Sequence, residues 1–365
     1  MKNNTLKYKW INFLIKIEEY RLKRVMKYQY KKVKSQSIET FKKVGTRMIS
    51  NNTNEIRLFA IMRNESLRLP HFLKYYKELK VDRFFLIDNL SSDNSVAIAL
   101  EQDNLHLFST NDAYQNHWYW MEHLLETYGK NHWCVVVDID ELFSFPHAEN
   151  LNLKDLIDFL EQEKSTSIHT FLLDMYSDRS VISTPYINGD NPLNYVPYFD
   201  RNYNAINFTF NDRLNFNPFT SIVYTGGMRD RVFGKTSPPH ILSKIPFFLN
   251  TEGTYLVQGM HAINGSKISH IQGVVFHTKF LSDFVDEVKE ETVRGQHYGG
   301  AFYYKHYEKE IKENAEISFY CEDSVKYISS EQLVELGLMK TNDSFEDFAR
   351  SKNIQKSRIN RIIKF

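Results

Sequence analysis

The chain has little sulfur to work with: Cys134 and Cys321 are its only two cysteines in 365 residues. Two distant thiols make neither a disulfide framework nor a zinc-ligand pattern, so a reducing compartment is the simpler setting. No run approaches the ~18 consecutive apolar residues of a membrane-spanning helix. The early apolar residues are broken by lysines, so no signal peptide is expected. Internal repeats are absent. Glycine is sparse, at 14 residues, and no Gly-rich phosphate loop of either common type follows the first candidate strand. Any bound phosphate must then be held by a metal ion, Arg or Lys rather than by a glycine cradle.

What is present is a globular composition, 42% hydrophobic and 25% charged, long enough for one large domain or two small ones. Aromatic residues reach 15%, mostly Tyr and Phe. That suits ordinary core packing first, and a sugar- or nucleotide-stacking surface second. Net charge is +1 but unevenly spread. Residues 1–47 carry 14 Lys/Arg and three acids, leaving 32 basic and 42 acidic residues in the remainder. A basic arm on an acidic body implies an anionic partner for the arm.

That arm reads as one long helix or two. Trp10, Phe13, Leu14, Ile17, Leu22, Val25 and Met26 suggest an approximate apolar stripe among many lysines. A basic amphipathic helix of this kind lies on an anionic membrane surface. The alternative is a solvated helix packed on the body or a poorly ordered tail. No nucleic-acid-reading motif accompanies the charge, so nucleic acid is not expected as a partner. The arm is taken as residues 1–50, a main domain as 55–305 and a helical tail as 306–365.

After the polar linker from Ser50 to Asn54, Arg57-Leu58-Phe59-Ala60-Ile61-Met62 reads as a first strand, and Leu67 to Lys80 has helical spacing. Arg83 to Ile87 is a second strand ending at Asp88, and Leu105 to Phe108 a third. Asn116 to Tyr128 is a helix closed by Gly129, and Trp133 to Val137 a fourth strand. This βαβαβαβ order implies a parallel, helix-covered sheet with right-handed crossovers. A helix over Leu153 to Gln162 and a strand from Ile168 to Leu173, ending at Asp174, continue the pattern. Residues 177–220 are rich in Asn, Pro and Tyr and read as a long loop or lid. A last apolar strand ends at His277, and a helix from Phe284 leads to Arg294-Gly295-Gln296-His297.

The centre of this arrangement is Asp138-Ile139-Asp140-Glu141, three acids in four residues at the end of a buried strand. Carboxylates are costly to bring together unless something positive sits among them. One reading is a Mg2+ or Mn2+ ion on a diphosphate, at the carboxyl end of a strand where open α/β sheets place ligands. The other is a solvated acidic turn.

Arg63-Asn64-Glu65, Asp88-Asn89-x-Ser91-x-Asp93, Asp138-x-Asp140-Glu141, His277-x-Lys279-Phe280 and Arg294-Gly295-Gln296-His297-Tyr298-Gly299-Gly300 together resemble bacterial glycosyltransferases of the family 2-like group. The resemblance covers roughly residues 55–305. It implies an α/β fold of the GT-A kind, a Rossmann-like, mostly parallel sheet flanked by helices. It implies a nucleotide-sugar donor and a saccharide or lipid-linked acceptor, and a cytoplasmic chain that is peripheral on the inner face of a membrane if the arm binds it. An Asn- and Lys-rich composition points to an AT-rich bacterial genome, which favours surface polysaccharide or lipopolysaccharide synthesis. Asp138 and Asp140 take the place of the pair that holds a divalent cation, with His277 added from the later strand. Asp88 and Asp93 resemble acids near the donor base and ribose, and Arg63, Asn64 and Glu65 lie on the donor side.

Transfer needs stabilisation of a leaving nucleoside diphosphate, and an inverting reaction needs a general base. Glu141 and Asp174 are the base candidates. The competing readings are a capped turn for Glu141, and a helix cap or a partner of Arg179 for Asp174. Arg229, Arg231, Lys244 and Lys279 are candidate phosphate ligands, and His297 sits in a glycine-rich turn placed to close over a donor. A metal-dependent phosphoester hydrolase is the alternative enzyme, and a membrane-attached binding module without turnover the alternative from another class.

Overall fold

The computed structural model describes residues 2–211, 218–257, 261–314 and 316–362; the side chains of residues 1–15, 211, 218 and 357–362 are not described. The described residues hold a ten-stranded mixed sheet. Its strands are β1 (Lys42–Val44), β2 (Arg57–Met62), β3 (Arg83–Asp88), β4 (Leu105–Ser109), β5 (Trp133–Val136), β6 (Glu141–Ser144), β7 (Ser167–Asp174), β8 (Ser243–Leu249), β9 (Ile268–Gln272) and β10 (Val274–His277). The order is β1-β4-β3-β2-β5-β8-β7-β10-β6, with β9 also pairing β7.

Strand β2 is parallel to β3 and β5, and β3 to β4. Strand β8 runs antiparallel to both β5 and β7, so those two share a direction. Strands β9 and β10 are parallel to β7. Seven of the ten strands therefore point the same way, and β1, β6 and β8 oppose them.

The parallel strands read as continuous apolar runs because both sheet faces are covered. In β2, Leu58, Ala60 and Met62 join one core cluster, while Phe59 and Ile61 join another on the opposite face. The first face is covered by α2 (Leu69–Glu78), through Phe72, Leu73 and Tyr76. The helix α3 (Ser95–Leu100) follows β3. The second face takes Trp120, Met121 and Leu124 of α4 (His117–Leu124), which widens into a π-helical turn over Leu125–Gly129. Helix α5 (Leu153–Glu163) starts at a reciprocal cap: Asn152 accepts from the Asp155 backbone N–H, and Asp155 accepts from that of Asn152.

Several expectations shift. The arm is one helix, α1 (Lys2–Glu39), followed by β1 as an edge strand of the main sheet. Of the expected stripe, Trp10, Phe13 and Leu14 lie outside the described side chains. Leu22, Val25 and Met26 keep the three- and four-residue spacing of a single face while Ile17 stands off it, and all four are exposed rather than packed on the body. The long loop at 177–220 contains a strand, Tyr203–Asn211, paired antiparallel with Pro218–Gly226. Its alternation of Ile206, Phe208 and Phe210 with Asn207 and Thr209 carried that signal.

The chain continues through α6 (Gly227–Val232), α7 (Phe284–Arg294), α8 (Tyr298–Glu313), α9 (Ser330–Glu335) and α10 (Asp343–Ile362). Helix α8 crosses the expected boundary at 305. Leu333, Leu338, Met339, Phe345 and Phe348 are buried in the same cluster as β2 and α2, so the C-terminal segment shares the main core.

Candidate functional site

Strand direction explains why the site residues meet. The parallel strands end at one edge of the sheet, where Asp138 follows β5, Asp174 closes β7 and His277 closes β10. The opposing strands start at that edge, so β8 brings Lys244 and β6 brings Glu141 to the same place. On neighbouring strands His277 is in register with both Asp174 and Glu141. Ile139 is buried, which turns Asp138 and Asp140 away from the core on either side of it. Thr278 fixes the turn by donating its N–H and hydroxyl to the Asp140 carbonyl, at 2.8 and 3.0 Å.

Lys244 is 3% exposed, and its Nζ lies 2.9 Å from Asp138 Oδ2 and 2.5 Å from Glu141 Oε1. The other oxygen of Glu141 accepts from the Asp138 backbone N–H at 3.0 Å. Burial raises the Glu141 carboxyl to about 7; Lys244 opposes that shift, and Asp138 and Asp140 add to it. For Asp138 burial is outweighed by Lys244, and the carboxyl is lowered.

Asp174 is fully buried and held bidentately by Arg229, at 2.7 and 2.8 Å. Its Oδ1 is also 2.8 Å from His277 Nδ1. Burial works against its charge, but Arg229 and then His277 prevail and hold it at about 2. The far nitrogen of His277, Nε2, lies 3.4 Å from Asp140 Oδ2. Burial lowers the His277 pKa, yet Asp140 outweighs it and the net shift is upward.

These groups open onto a cleft of about 1010 Å³, lined by Arg63, Asn64, Glu65, Asp138, Asp140, Glu141, Arg229, Lys244, His277, Lys279 and His297 among others. Four expected residues do not line it. Asp93 serves the loop before α3: its oxygens accept from the Ser95 N–H and hydroxyl and from the Ser66 N–H. Asp88 is buried and accepts from the Ser91 N–H at 3.2 Å. Asp174 is sealed beneath His277. The second phosphate candidate, Arg231, is also outside the cleft and holds Asp200 at 2.8 Å. The supposed Arg179 partner of Asp174 is replaced by Arg229. Both base candidates have their oxygens engaged, Glu141 by Lys244 and a backbone N–H, and Asp174 by Arg229 and His277.

The cations of the cleft are engaged too, largely by α7. Glu290 takes Arg63 at 2.9 Å and Asp283 takes Arg68 at 2.6 Å. Glu287 takes Lys279, which also donates to Tyr304 Oη at 2.9 Å. His297 Nε2 lies 3.1 Å from Glu291, its ring 4.6 Å from those of Tyr114 and Tyr304. Arg68, Asp283, Glu287 and Glu290 were missed in the sequence, although spacings of four and three place the three acids on one helical face. Glu65 Oε2 is buried without a hydrogen-bond partner. Nine Asp/Glu and six Lys/Arg line the cleft, a formal −3 before histidine.

Among the described residues, no three His, Cys, Asp or Glu side chains are grouped to hold a metal ion. Two positions nevertheless fit one. Asp140 and His277 face each other at 3.4 Å, near enough for one oxygen and one ring nitrogen to share an ion after a small adjustment. The other ring nitrogen of His277 meets a carboxylate, as metal-ligating histidines usually arrange. Asp138 is committed to Lys244.

No protein-family profile matches the chain, and no curated protein matches it by sequence. A solved structure, described as the crystal structure of 4-diphosphocytidyl-2C-methyl-D-erythritol synthase, is similar over 38% of this chain and 68% of that one. The identity is 14% and the TM-score 0.23, too slight a likeness to carry an argument.

Proposed function

We propose that the chain is a glycosyltransferase of the GT-A kind that moves a sugar from a nucleotide-sugar donor to a saccharide or lipid-linked acceptor. The observation that carries this reading is the meeting of Asp138, Asp140, Lys244, His277 and Lys279 on one cleft at the carboxyl edge of the parallel strands. A lining of −3 repels a diphosphate unless a cation accompanies it. Asp140 and His277 are the residues that would hold Mn2+ or Mg2+, which would stabilise charge on the leaving diphosphate.

The chain's own groups supply the rest. Arg63 and Lys279 take donor phosphate in exchange for Glu290 and Glu287. Asn64 and Glu65 rim the donor side, and His297 with Tyr114 closes it. Arg229 and Asp174 orient His277. We assign Glu141 to positioning rather than proton abstraction, since it fixes Lys244 and the Asp138 backbone.

The test is a thermal-shift screen of nucleoside diphosphates and nucleotide sugars with and without Mn2+, because a ligand of the native state raises the melting temperature by mass action. One nucleotide should give a metal-dependent shift that vanishes in Asp140→Ala. No shift with any nucleotide, or unchanged turnover in both Asp138→Ala and Asp140→Ala, would sink the reading. Phosphate release from simple phosphoesters without an acceptor would favour a hydrolase.

A further inference from the structure

We propose that the basic length of α1 ahead of residue 30 is a docking element for an anionic phospholipid surface, and that it brings one wall of the cleft to that surface. At 1.5 Å per residue the 38 residues of α1 make a rod of about 57 Å. Among the described residues, Tyr30, Lys34 and Ser37 in its last turns are tied to the body. Tyr30 bonds Glu122 of α4, and Lys34 pairs with Glu122 and Glu126 at 3.1 and 2.7 Å. Ser37 donates to Asp112 and accepts from Trp120 Nε1 at 2.8 Å.

Ahead of that joint the helix exposes what soluble surfaces avoid. Ile17, Tyr20, Leu22, Val25, Met26 and Tyr28 are each between 45% and 69% exposed. Interleaved with them are the exposed Lys16, Arg21, Arg24, Lys27, Lys31 and Lys32. Basic charge alone would suit any polyanion. Six large apolar side chains gain nothing from a phosphodiester backbone, whereas they can enter a headgroup layer while the lysines and arginines meet lipid phosphates. Each basic residue near an anionic bilayer adds to the attraction. The apolar residues are spread around the helix, so adsorption is led by charge and this surface should be salt-sensitive.

The joint gives the surface its meaning. Helix α4 holds α1 through Glu122 and Trp120, while His117 and Trp118 in its first turn line the cleft. A membrane-bound α1 therefore sets the cleft wall close to lipid headgroups. On the transferase reading, and resting on it, this selects a lipid-linked acceptor over a free saccharide. The docking surface itself does not depend on that reading.

The experiment is co-sedimentation of the full chain with sucrose-loaded vesicles of phosphatidylcholine alone or with 30% phosphatidylglycerol. Binding to the anionic vesicles should exceed binding to the neutral ones by at least about tenfold and collapse at high salt. The charge variant Arg21→Glu/Arg24→Glu/Lys27→Glu/Lys31→Glu should lose it without a change in melting temperature. A second variant, Leu22→Ser/Val25→Ser/Met26→Ser, should weaken it several-fold while retaining the salt dependence. Equal binding to both vesicle types, or none, overturns the proposal. So does a concentration-dependent dimer that either variant dissolves, since that would make a second copy the partner of α1. The nucleotide thermal shift, measured on the same variants, reports the donor site separately.

Discussion

His277 and Asp174 form one unit: Nδ1 of the histidine stands 2.8 Å from Oδ1 of a carboxylate that has no solvent exposure, and Arg229 grips both oxygens of that carboxylate with its Nη2 3.1 Å from the same Nδ1. A buried ion pair of this kind is weak testimony for stability as a whole, but removing one partner strands the other. Asp174→Asn should therefore cost about 3–5 kcal/mol in urea unfolding. It should also weaken metal-dependent nucleotide binding by roughly 10–100-fold, by releasing the ring of His277. Full nucleotide affinity in a folded Asp174→Asn protein would show that His277 does not need this support.

Lys244 offers a second test of buried charge. Lys244→Met leaves Asp138 and Glu141 without their shared cation. The expected loss is about 3–5 kcal/mol by denaturant titration. Adding Glu141→Gln to that variant should recover part of the loss, since one stranded carboxylate is gone. If the double variant is no more stable than Lys244→Met, the two charges are not coupled as their geometry requires.

Glu55 governs an acid-sensitive joint outside the cleft. It lies 2.6 Å from Arg83 and 3.0 Å from the buried Arg57. Burial raises its pKa, but Arg83 and Arg57 bring it down from 4.5 to about 2. A depressed carboxyl stabilises the fold above about pH 4.5, and that contribution drains away as pH falls toward 2. Glu55→Gln should flatten the stability profile across this window and lower stability at pH 7. An unchanged slope between pH 5 and 3 would remove Glu55 from the acid response.

The joint of α1 is testable without touching its charge. Trp120→Phe keeps the buried ring and deletes its hydrogen bond to Ser37. The expected cost is about 1 kcal/mol. Amide exchange should accelerate over residues 30–39 while β2 and β3 stay protected. Uniform acceleration across the sheet would mean that the indole matters to the core more than to the arm.

The parallel half of the sheet was legible because its strands are unbroken apolar runs closed by acids, as in Trp133 to Asp138. The convergence of Asp138, Asp140 and His277 was legible for the same reason, since strand ends share an edge. Strand β8 was not. Lys244 and Pro246 both argue against an interior strand, and the structure accommodates them separately. Lys244 finds two carboxylates, and Pro246 falls where the register with β7 shifts. Glu141 looked like part of a turn because a charged first residue hides a strand whose next residues, Leu142 and Phe143, are buried. Asp88 and Asp93 misled because a carboxylate that receives backbone N–H groups and one that faces a ligand use the same letters.

The place of β8 also sets a timetable. It lies between β5 and β7, yet it leaves the ribosome well after both. Until then β5 and β7 each carry an open edge of unpaired backbone groups, with a buried-type apolar sequence on both faces. Every nascent chain passes through that exposed interval, and non-local pairings of this kind close slowly. The acid-lined cleft is therefore assembled only after β8 and β10 emerge, when Lys244 and His277 arrive to neutralise carboxylates that were made long before them.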